Sequence, residues 1–206
     1  MCARITDVSL VVEAGTVTLL VGEAGCGKNL LLRLLGLLET PDAGEVIFAA
    51  QPTAQLTDDA RIELRTGACG YIFSSPFLLS AFSALENIAM PIFKISQLSP
   101  DAVRQRTEEL LTFTGLTDFA ESKDLPPALQ KRVALARGLA NEPVVLIVEN
   151  LDEMIAGDPD FRELLHAAAE RFGVAVIATA LPACAQHIGE RRIEVAGGRV
   201  ACDVTP

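Results

Sequence analysis

Short apolar runs near both ends of the chain predict β-strands. Residues 144–148 and 174–178 contain only aliphatic side chains, which is typical of parallel strands that are buried on both faces. Further runs are bounded by Gly, Pro, Asp or Asn, the residues that favour turns. The pattern predicts strands at residues 5–12 and 16–21 with a turn at Ala14 and Gly15 between them, at 45–48 and 70–73, and a Gly-Gly hairpin at 193–200.

The middle of the chain has helical periodicity instead. From residue 76 to about residue 141, apolar and charged residues recur every three to four positions, most plainly at 101–113 and 129–139. Helices are also predicted from Lys28 to near Thr40, after an N-cap at Thr57 to about Arg65, and at 160–172. We therefore expect one α/β domain over residues 1–206, with a core formed by 1–75 and 142–206 and a mostly helical subdomain over 76–141.

A glycine-rich turn connects the second predicted strand to the first helix. It has the pattern Gly-x-x-x-x-Gly-Lys, in which glycines let backbone N–H groups converge on an anion and the lysine reaches the outer phosphates. The residue after the lysine is Asn29, where this motif normally has a Ser or Thr that ligates Mg²⁺. The predicted phosphate-binding residues are Gly22, Glu23, Ala24, Gly25, Cys26, Gly27, Lys28, Asn29 and Leu30.

Composition narrows the possible partners and compartments. The formal net charge is −10, so no basic stripe is expected to bind nucleic acid. The five cysteines are scattered without C-x-x-C spacing, which indicates a reducing compartment and no zinc site. We expect no secretory signal and no membrane-spanning helix, because no apolar run of about 18 residues occurs.

The order of these segments resembles the ATP-binding subunit of an ABC transporter. It is most similar to the subfamily of lipoprotein-releasing, macrolide-exporter and cell-division ATPases. The similarity extends from about Ile5 to Val200 and is most specific at residues 70–79, 84–88 and 130–137. The resemblance implies a P-loop NTPase fold with a mostly parallel sheet, an antiparallel β part and an inserted helical subdomain. It also implies ATP as ligand and a location at the inner, cytoplasmic face of the cell membrane.

Several residues depart from the pattern of that family. By the resemblance, Ser74 stands where a glutamine contacts Mg²⁺, Asn150 where a glutamate activates water, and Ala180 where a histidine contacts the γ-phosphate. Glu149 replaces a metal-linked aspartate, so we expect at most a weakened Mg²⁺ site there. A further aspartate is replaced by Ala156, and we expect Asp158, two residues later, to be exposed. The degenerate signature loop is Leu125, Pro126, Pro127, Ala128 and Leu129.

These departures leave three hypotheses for the function. The first is a pseudo-ATPase, a structural or regulatory subunit that retains docking surfaces and binds nucleotide with little hydrolysis. The second is an active ABC ATPase that powers lipoprotein or lipid export with an unusual metal arrangement. The third is a P-loop small-molecule kinase, and it is disfavoured because the segment 129–137 resembles the signature helix of ABC subunits. The family implies a second ABC-type subunit, and a transmembrane subunit docked in a groove near Ser74–Phe82 with Phe77, Leu78, Leu79 and Phe82 as candidate lining.

Overall fold

A computed structural model describes residues 4–95, 97–184 and 191–205 of the chain. Its strands are β1 Val17–Val21, β2 Ile47–Phe48, β3 Gln51–Pro52, β4 Cys69–Ile72, β5 Val145–Val148, β6 Ala175–Ala180, β7 Arg191–Ala196 and β8 Arg199–Val204. Its α-helices are α1 Lys28–Leu35, α2 Asp58–Ala68, α3 Ala84–Ile95, α4 Pro100–Phe113, α5 Pro127–Leu139, α6 Leu151–Gly157 and α7 Phe161–Phe172. Short 3-10 helices cover Thr117–Phe119 and Pro182–Cys184.

A six-stranded sheet with the order β4-β5-β6-β1-β7-β8 forms the centre of the fold. Strands β4, β5, β6, β1 and β7 pair in parallel, and β8 pairs antiparallel with β7. Every residue of β1 and of β6 is buried, as expected for aliphatic strands in the middle of a sheet covered on both faces. The carboxyl ends of the parallel strands share one edge, where Val21 lies beside Ala180. The loops that follow these strands therefore meet there.

Side-chain caps fix the starts of three helices. The Oγ1 atom of Thr57 accepts a hydrogen bond from the N–H of Ala60 at the start of α2, so the predicted N-cap is confirmed. Ser99 makes the same contact with Ala102 at the start of α4. At α3, Ser83 and Glu86 form a reciprocal capping box, with the Glu86 carboxylate 2.7 Å from the Ser83 nitrogen.

Helices α3, α4 and α5 share one apolar cluster with the strands β1, β5 and β6. Helix α5 approaches β4 so closely that a Cβ on Gly70 would lie 2.1 Å from the carbonyl oxygen of Gly138, so glycine is required there. A second contact joins α4 to α7, where Phe113 and Phe172 pack edge to face and Arg171 donates to Glu109 at 2.9 Å. These helices are thus packed directly on the core.

Two sequence predictions about the N-terminal third are wrong in detail. Residues 5–12 form no strand: Asp7 has φ 53°, and the segment is joined to the β7–β8 turn by the bond from Thr6 N to Gly198 O. Its alternating apolar residues instead pack against a second apolar cluster, which is formed by residues of α1 and of strands β1, β5, β6 and β7. Helix α1 ends at Leu35 rather than near Thr40, because Leu37 takes a left-handed conformation (φ 58°) and is buried.

The α-helices of the described residues have at most 14 residues, whereas a helix that crosses a bilayer needs about 20. Within residues 4–95, 97–184 and 191–205, none is long and apolar enough to cross a membrane.

Candidate functional site

The glycine-rich loop lies between the buried strand β1 and helix α1, as the sequence predicts. Gly25 and Gly27 have φ of 79° and 104°, and Gly27 is the residue before the first turn of α1. A Cβ on Gly22 would lie 2.4 Å from the carbonyl oxygen of Val195 and 2.6 Å from Sγ of Cys26. Glycine is therefore needed at these positions for the loop to take its curved path.

Lys28 is 6% exposed and folds back over this loop. Its Nζ atom donates hydrogen bonds to the carbonyl oxygens of Gly22 at 2.8 Å and Glu23 at 3.2 Å. The ammonium group is thus held at the mouth of the loop, at the N-terminal end of α1. A backbone turn with a buried ammonium beside a helix N-terminus can hold a phosphate group.

A cavity of about 440 Å³ opens beside the loop. One wall is the loop and the start of α1, and the opposite wall is the start of α6 with the residue that follows β6. The lining residues are Ala24, Gly25, Gly27, Lys28, Asn29, Leu30, Asn150, Asp152, Glu153 and Leu181. The structure therefore brings Asn29 and Asn150, both singled out from the sequence, to one cavity, and adds Asp152 and Glu153, which the sequence analysis missed.

Asn150 takes the left-handed conformation (φ 50°, ψ 66°) immediately before α6. Its backbone N–H donates to Oγ1 of Thr179 at 3.0 Å, which ties this turn to β6. The side-chain Nδ2 donates to Oγ of Ser74 at 2.7 Å and is 3.4 Å from Oε1 of Glu153. Two of the three positions that the sequence predicts to be degenerate thus contact each other as a neutral amide–hydroxyl pair.

Ala180, the third position that the sequence predicts to be degenerate, is fully buried at the end of β6. Its carbonyl oxygen accepts a hydrogen bond from the N–H of Gly22 at 3.3 Å, which joins the end of β6 to the glycine loop, and its methyl group belongs to the main apolar cluster. His166 is half-buried in α7, whereas His187 lies outside the described residues. Of the two, only His166 can be compared with the cavity, and it is not among the lining residues.

Glu149, the weak metal candidate, is half-buried and does not line the cavity. Its backbone N–H donates to Ile72 O at 2.9 Å, which places the residue between the ends of β5 and β4. Within the described ranges, no group of three His, Cys, Asp or Glu side chains is arranged to hold a metal ion. The carboxylates that line the cavity are instead those of Asp152 and Glu153.

The segment 125–129, predicted to be a degenerate signature loop, leads into a helix that begins at a proline. Helix α5 begins at Pro127, and Pro126 precedes it with an extended ψ of 150°. Gln130 fastens this start, because its Nε2 donates to Leu125 O at 2.7 Å and its backbone N–H donates to Pro126 O. Leu125 is buried and the two prolines are exposed, so this turn presents no N–H at two consecutive positions.

The prediction that Asp158 is exposed is wrong. Asp158 is 4% exposed, and its carboxylate makes two bonds with Arg132 of α5, at 2.5 and 2.9 Å. Hydrogen bonding to this carboxylate raises the pKa of the Arg132 guanidinium. The same guanidinium donates to Thr114 O at 3.3 Å. The aspartate therefore joins α5 to the end of α6, a pairing across 26 residues that sequence spacing alone does not reveal.

The predicted groove near Ser74–Phe82 has an exposed apolar surface. Phe77 is 67% exposed with φ 46°, while Leu79 and Phe82 are 42% and 37% exposed. Leu78 differs, because it packs against the main core cluster. The amide of Asn87 holds this loop by accepting from Leu79 N and donating to the carbonyl oxygens of Leu79, Phe82 and Ser83. Three of the four candidate residues are thus accessible to a partner.

Comparison with known proteins gives consistent matches. A family model described as ABC transporter matches residues 5–156. The lipoprotein-releasing system ATP-binding protein LolD of Maricaulis maris (strain MCS10) is 40% identical over 181 residues, which is 87% of this chain and 78% of that protein. The dimeric structure of MJ0796, a bacterial ABC transporter cassette, superposes with a TM-score of 0.83 at 27% identity, covering 98% of this chain and 90% of that one. A post-hydrolysis state of the same cassette bound to ADP and Pi gives 0.77 at 26% identity, with the same coverage.

Proposed function

The chain belongs to the ABC transporter family of ATP-binding proteins, and from that premise we propose that it is a nucleotide-binding subunit with little or no ATP hydrolysis. It serves as a structural or regulatory member of a membrane-associated, transporter-like complex. The observation that carries the proposal is that Asn150, which lines the same cavity as Lys28, forms a neutral pair with Ser74.

Nucleotide binding is supported by the geometry of the glycine loop. Gly22 and Gly27 allow the tight curvature of the loop, because a Cβ on either would clash with neighbouring protein atoms, and Lys28 is held at the loop by two carbonyl oxygens. These features fit a phosphate group, which the loop N–H groups and the ammonium would hold. A relative of known structure binds ADP and Pi, which supports the same ligand class for this chain.

Weak hydrolysis follows from the groups that replace the hydrolytic ones. An amide such as Asn150 cannot accept a proton from water, and the methyl of Ala180 can neither donate nor accept. Pro126 and Pro127 lack the N–H groups that a γ-phosphate of a second subunit would need. Loss of one preorganised donor typically slows a reaction by about 10² to 10³, so these replacements together leave little turnover.

Mg²⁺ does not fit the residues present. Ser74 is engaged with Asn150 at 2.7 Å, Asn29 offers a neutral amide in place of a hydroxyl, and Glu149 does not line the cavity. Mg²⁺ in nucleotide sites is usually held by one or two carboxylates together with waters and substrate phosphates, and none of these three positions contributes a carboxylate to the cavity. We therefore derive no chemical step through a metal ion.

The partner subunits of this chain are inferred from its similarity to known ABC proteins. The MJ0796 structure is a dimer, so we propose that this chain pairs with a second ABC-type subunit, identical or not. We further propose that a transmembrane subunit docks on the exposed side chains of Phe77, Leu79 and Phe82, with the chain peripheral at the cytoplasmic face of the membrane. The division into a core of residues 1–75 and 142–206 and a helical subdomain of 76–141 is part of the same proposal.

The second candidate function is an active ATPase, and the sequence similarity to LolD favours it. The LolD protein of Maricaulis maris belongs to a lipoprotein-releasing system, and 40% identity is compatible with a shared activity. This candidate requires Asn150 to take part in catalysis, so Asn150→Ala should abolish turnover. An Asn150→Ala protein that hydrolyses ATP as fast as the unchanged protein would count heavily against it.

The deciding experiment measures steady-state hydrolysis of Mg²⁺-ATP by the purified chain, alone and mixed with its transmembrane and ABC-type partners. Lys28→Ala serves as the matched control for contaminating activity. The proposal predicts equal phosphate release by both proteins in every mixture. Turnover near one per second that disappears in Lys28→Ala would refute it.

A further inference from the structure

Asp152 and Glu153 lie in the first turn of α6 and line the cavity opposite Lys28. Their carboxylates have no role in the function proposed above. Asp152 is fixed there, because both of its carboxylate oxygens accept from the N–H of Leu181, at 2.9 and 3.1 Å. Glu153 is exposed, and its Oε1 lies 3.4 Å from Nδ2 of Asn150. Both negative groups therefore belong to the wall that faces the glycine loop.

Helix α6 is held in this position from its other side. Lys131 of α5 donates from Nζ to the carbonyl oxygens of Glu153 and Met154, and Arg132 binds Asp158 just beyond the helix. The positive charge of Lys131 is thus directed at the helix backbone, and Lys131 does not line the cavity. The carboxylates cannot easily swing away from the cavity by movement of the whole helix.

The charges that line the cavity favour a short anion over a long one. Lys28 is the only cation among the lining residues, and it faces two carboxylates, so the lining has a net charge of −1. A phosphate held by the loop gains from Lys28 and the N–H groups. An additional phosphate would enter the cavity that Asp152 and Glu153 line, where like charges repel within a partly enclosed space.

We propose that Asp152 and Glu153 make this site select a nucleoside diphosphate over the corresponding triphosphate. The proposal rests on the proposed function, since it requires a nucleotide with its phosphates in the glycine loop. It adds a specificity that the glycine loop alone does not have. The chain would then be held in a diphosphate-bound state that does not depend on its own hydrolysis.

The test compares the dissociation constants of ADP and ATP by isothermal titration calorimetry, with the full chain in excess EDTA and low salt. EDTA keeps ATP intact during the titration. The unchanged protein should bind ADP tighter than ATP by on the order of tenfold. The double variant Asp152→Asn, Glu153→Gln should bring the two constants to within about twofold. Glu170→Gln, which removes an exposed carboxylate outside the cavity, should leave the ratio unchanged.

Three results would overturn the selectivity: ATP bound as tightly as ADP by the unchanged protein, a ratio that survives in the double variant, or no binding of either nucleotide at about millimolar concentration. A salt titration gives a second criterion, because the ratio should fall as ionic strength rises. Failure of the proposed selectivity can be distinguished from failure of the proposed function. Rapid hydrolysis refutes the proposed function whatever the ratio, and equal constants with no hydrolysis refute only the selectivity.

Discussion

The buried pair of Asp158 and Arg132 offers a direct test of how α5 is joined to the nucleotide side of the fold. In Asp158→Ala the guanidinium of Arg132 loses two hydrogen bonds of 2.5 and 2.9 Å and its buried counter-charge. Removal of one partner from a fully buried ion pair costs about 3 to 5 kcal/mol. The Arg132 side chain is 20% exposed, so water compensates part of the loss, and we expect the free energy of unfolding to fall by about 2 to 4 kcal/mol.

Urea denaturation measures this change. With a slope of about 2 to 3 kcal/mol/M for a domain of this size, the midpoint should fall by about 1 M. Asp160→Ala is the matched control, since Asp160 is 83% exposed and 3.8 Å from the same guanidinium, and it should change stability by less than about 0.5 kcal/mol. Equal, small shifts in Asp158→Ala and Asp160→Ala would refute the reasoning that the pair is buried and structural.

Three further predictions concern the loop, the packing and the thiols. Lys28→Ala should weaken ADP binding by about tenfold or more in calorimetry, because the buried ammonium at the loop is lost. Gly70→Ala should lower the free energy of unfolding by about 2 kcal/mol or more, because the new Cβ would lie 2.1 Å from Gly138 O. The control is Gly67→Ala in α2, whose Cβ would meet no atom within 4 Å. In the same urea assay, this control should be neutral or should stabilise the protein by up to about 1 kcal/mol. Burial raises the pKa of the Cys69 thiol to about 11, so at pH 8 it should react with a disulfide reagent about a hundredfold more slowly than exposed Cys202, and equal rates would contradict this.

The parts of the fold that the sequence predicts well are local or strongly apolar. The runs at Val145–Val148 and Ala175–Ala180 have no polar residue except Thr179, and burial is their only stable arrangement. Thr57 caps its helix through a contact with Ala60, three residues away. The loop from Gly22 to Lys28 is likewise one continuous stretch. In each case the residues that determine the structure are neighbours in sequence.

The parts that sequence reasoning missed depend on contacts between distant segments. Asp158 is buried because Arg132, on another helix, neutralises it, and no local pattern distinguishes that aspartate from a solvated one. Residues 5–12 alternate like a strand, yet Asp7 turns left-handed where the chain contacts Gly198. Asp152 and Glu153 enter the cavity wall only because Asn150 starts α6 at a left-handed turn tied to β6.

The central claim is that the site binds nucleotide but does not cleave it. A single-turnover experiment tests this most directly, with protein in excess over γ-labelled ATP, Mg²⁺ present and the partner subunits added. Because product release plays no part, even one cleavage per site is detected. The account predicts no phosphate release above that of Lys28→Ala over about an hour, and complete cleavage within about a second, absent in Lys28→Ala, would contradict it.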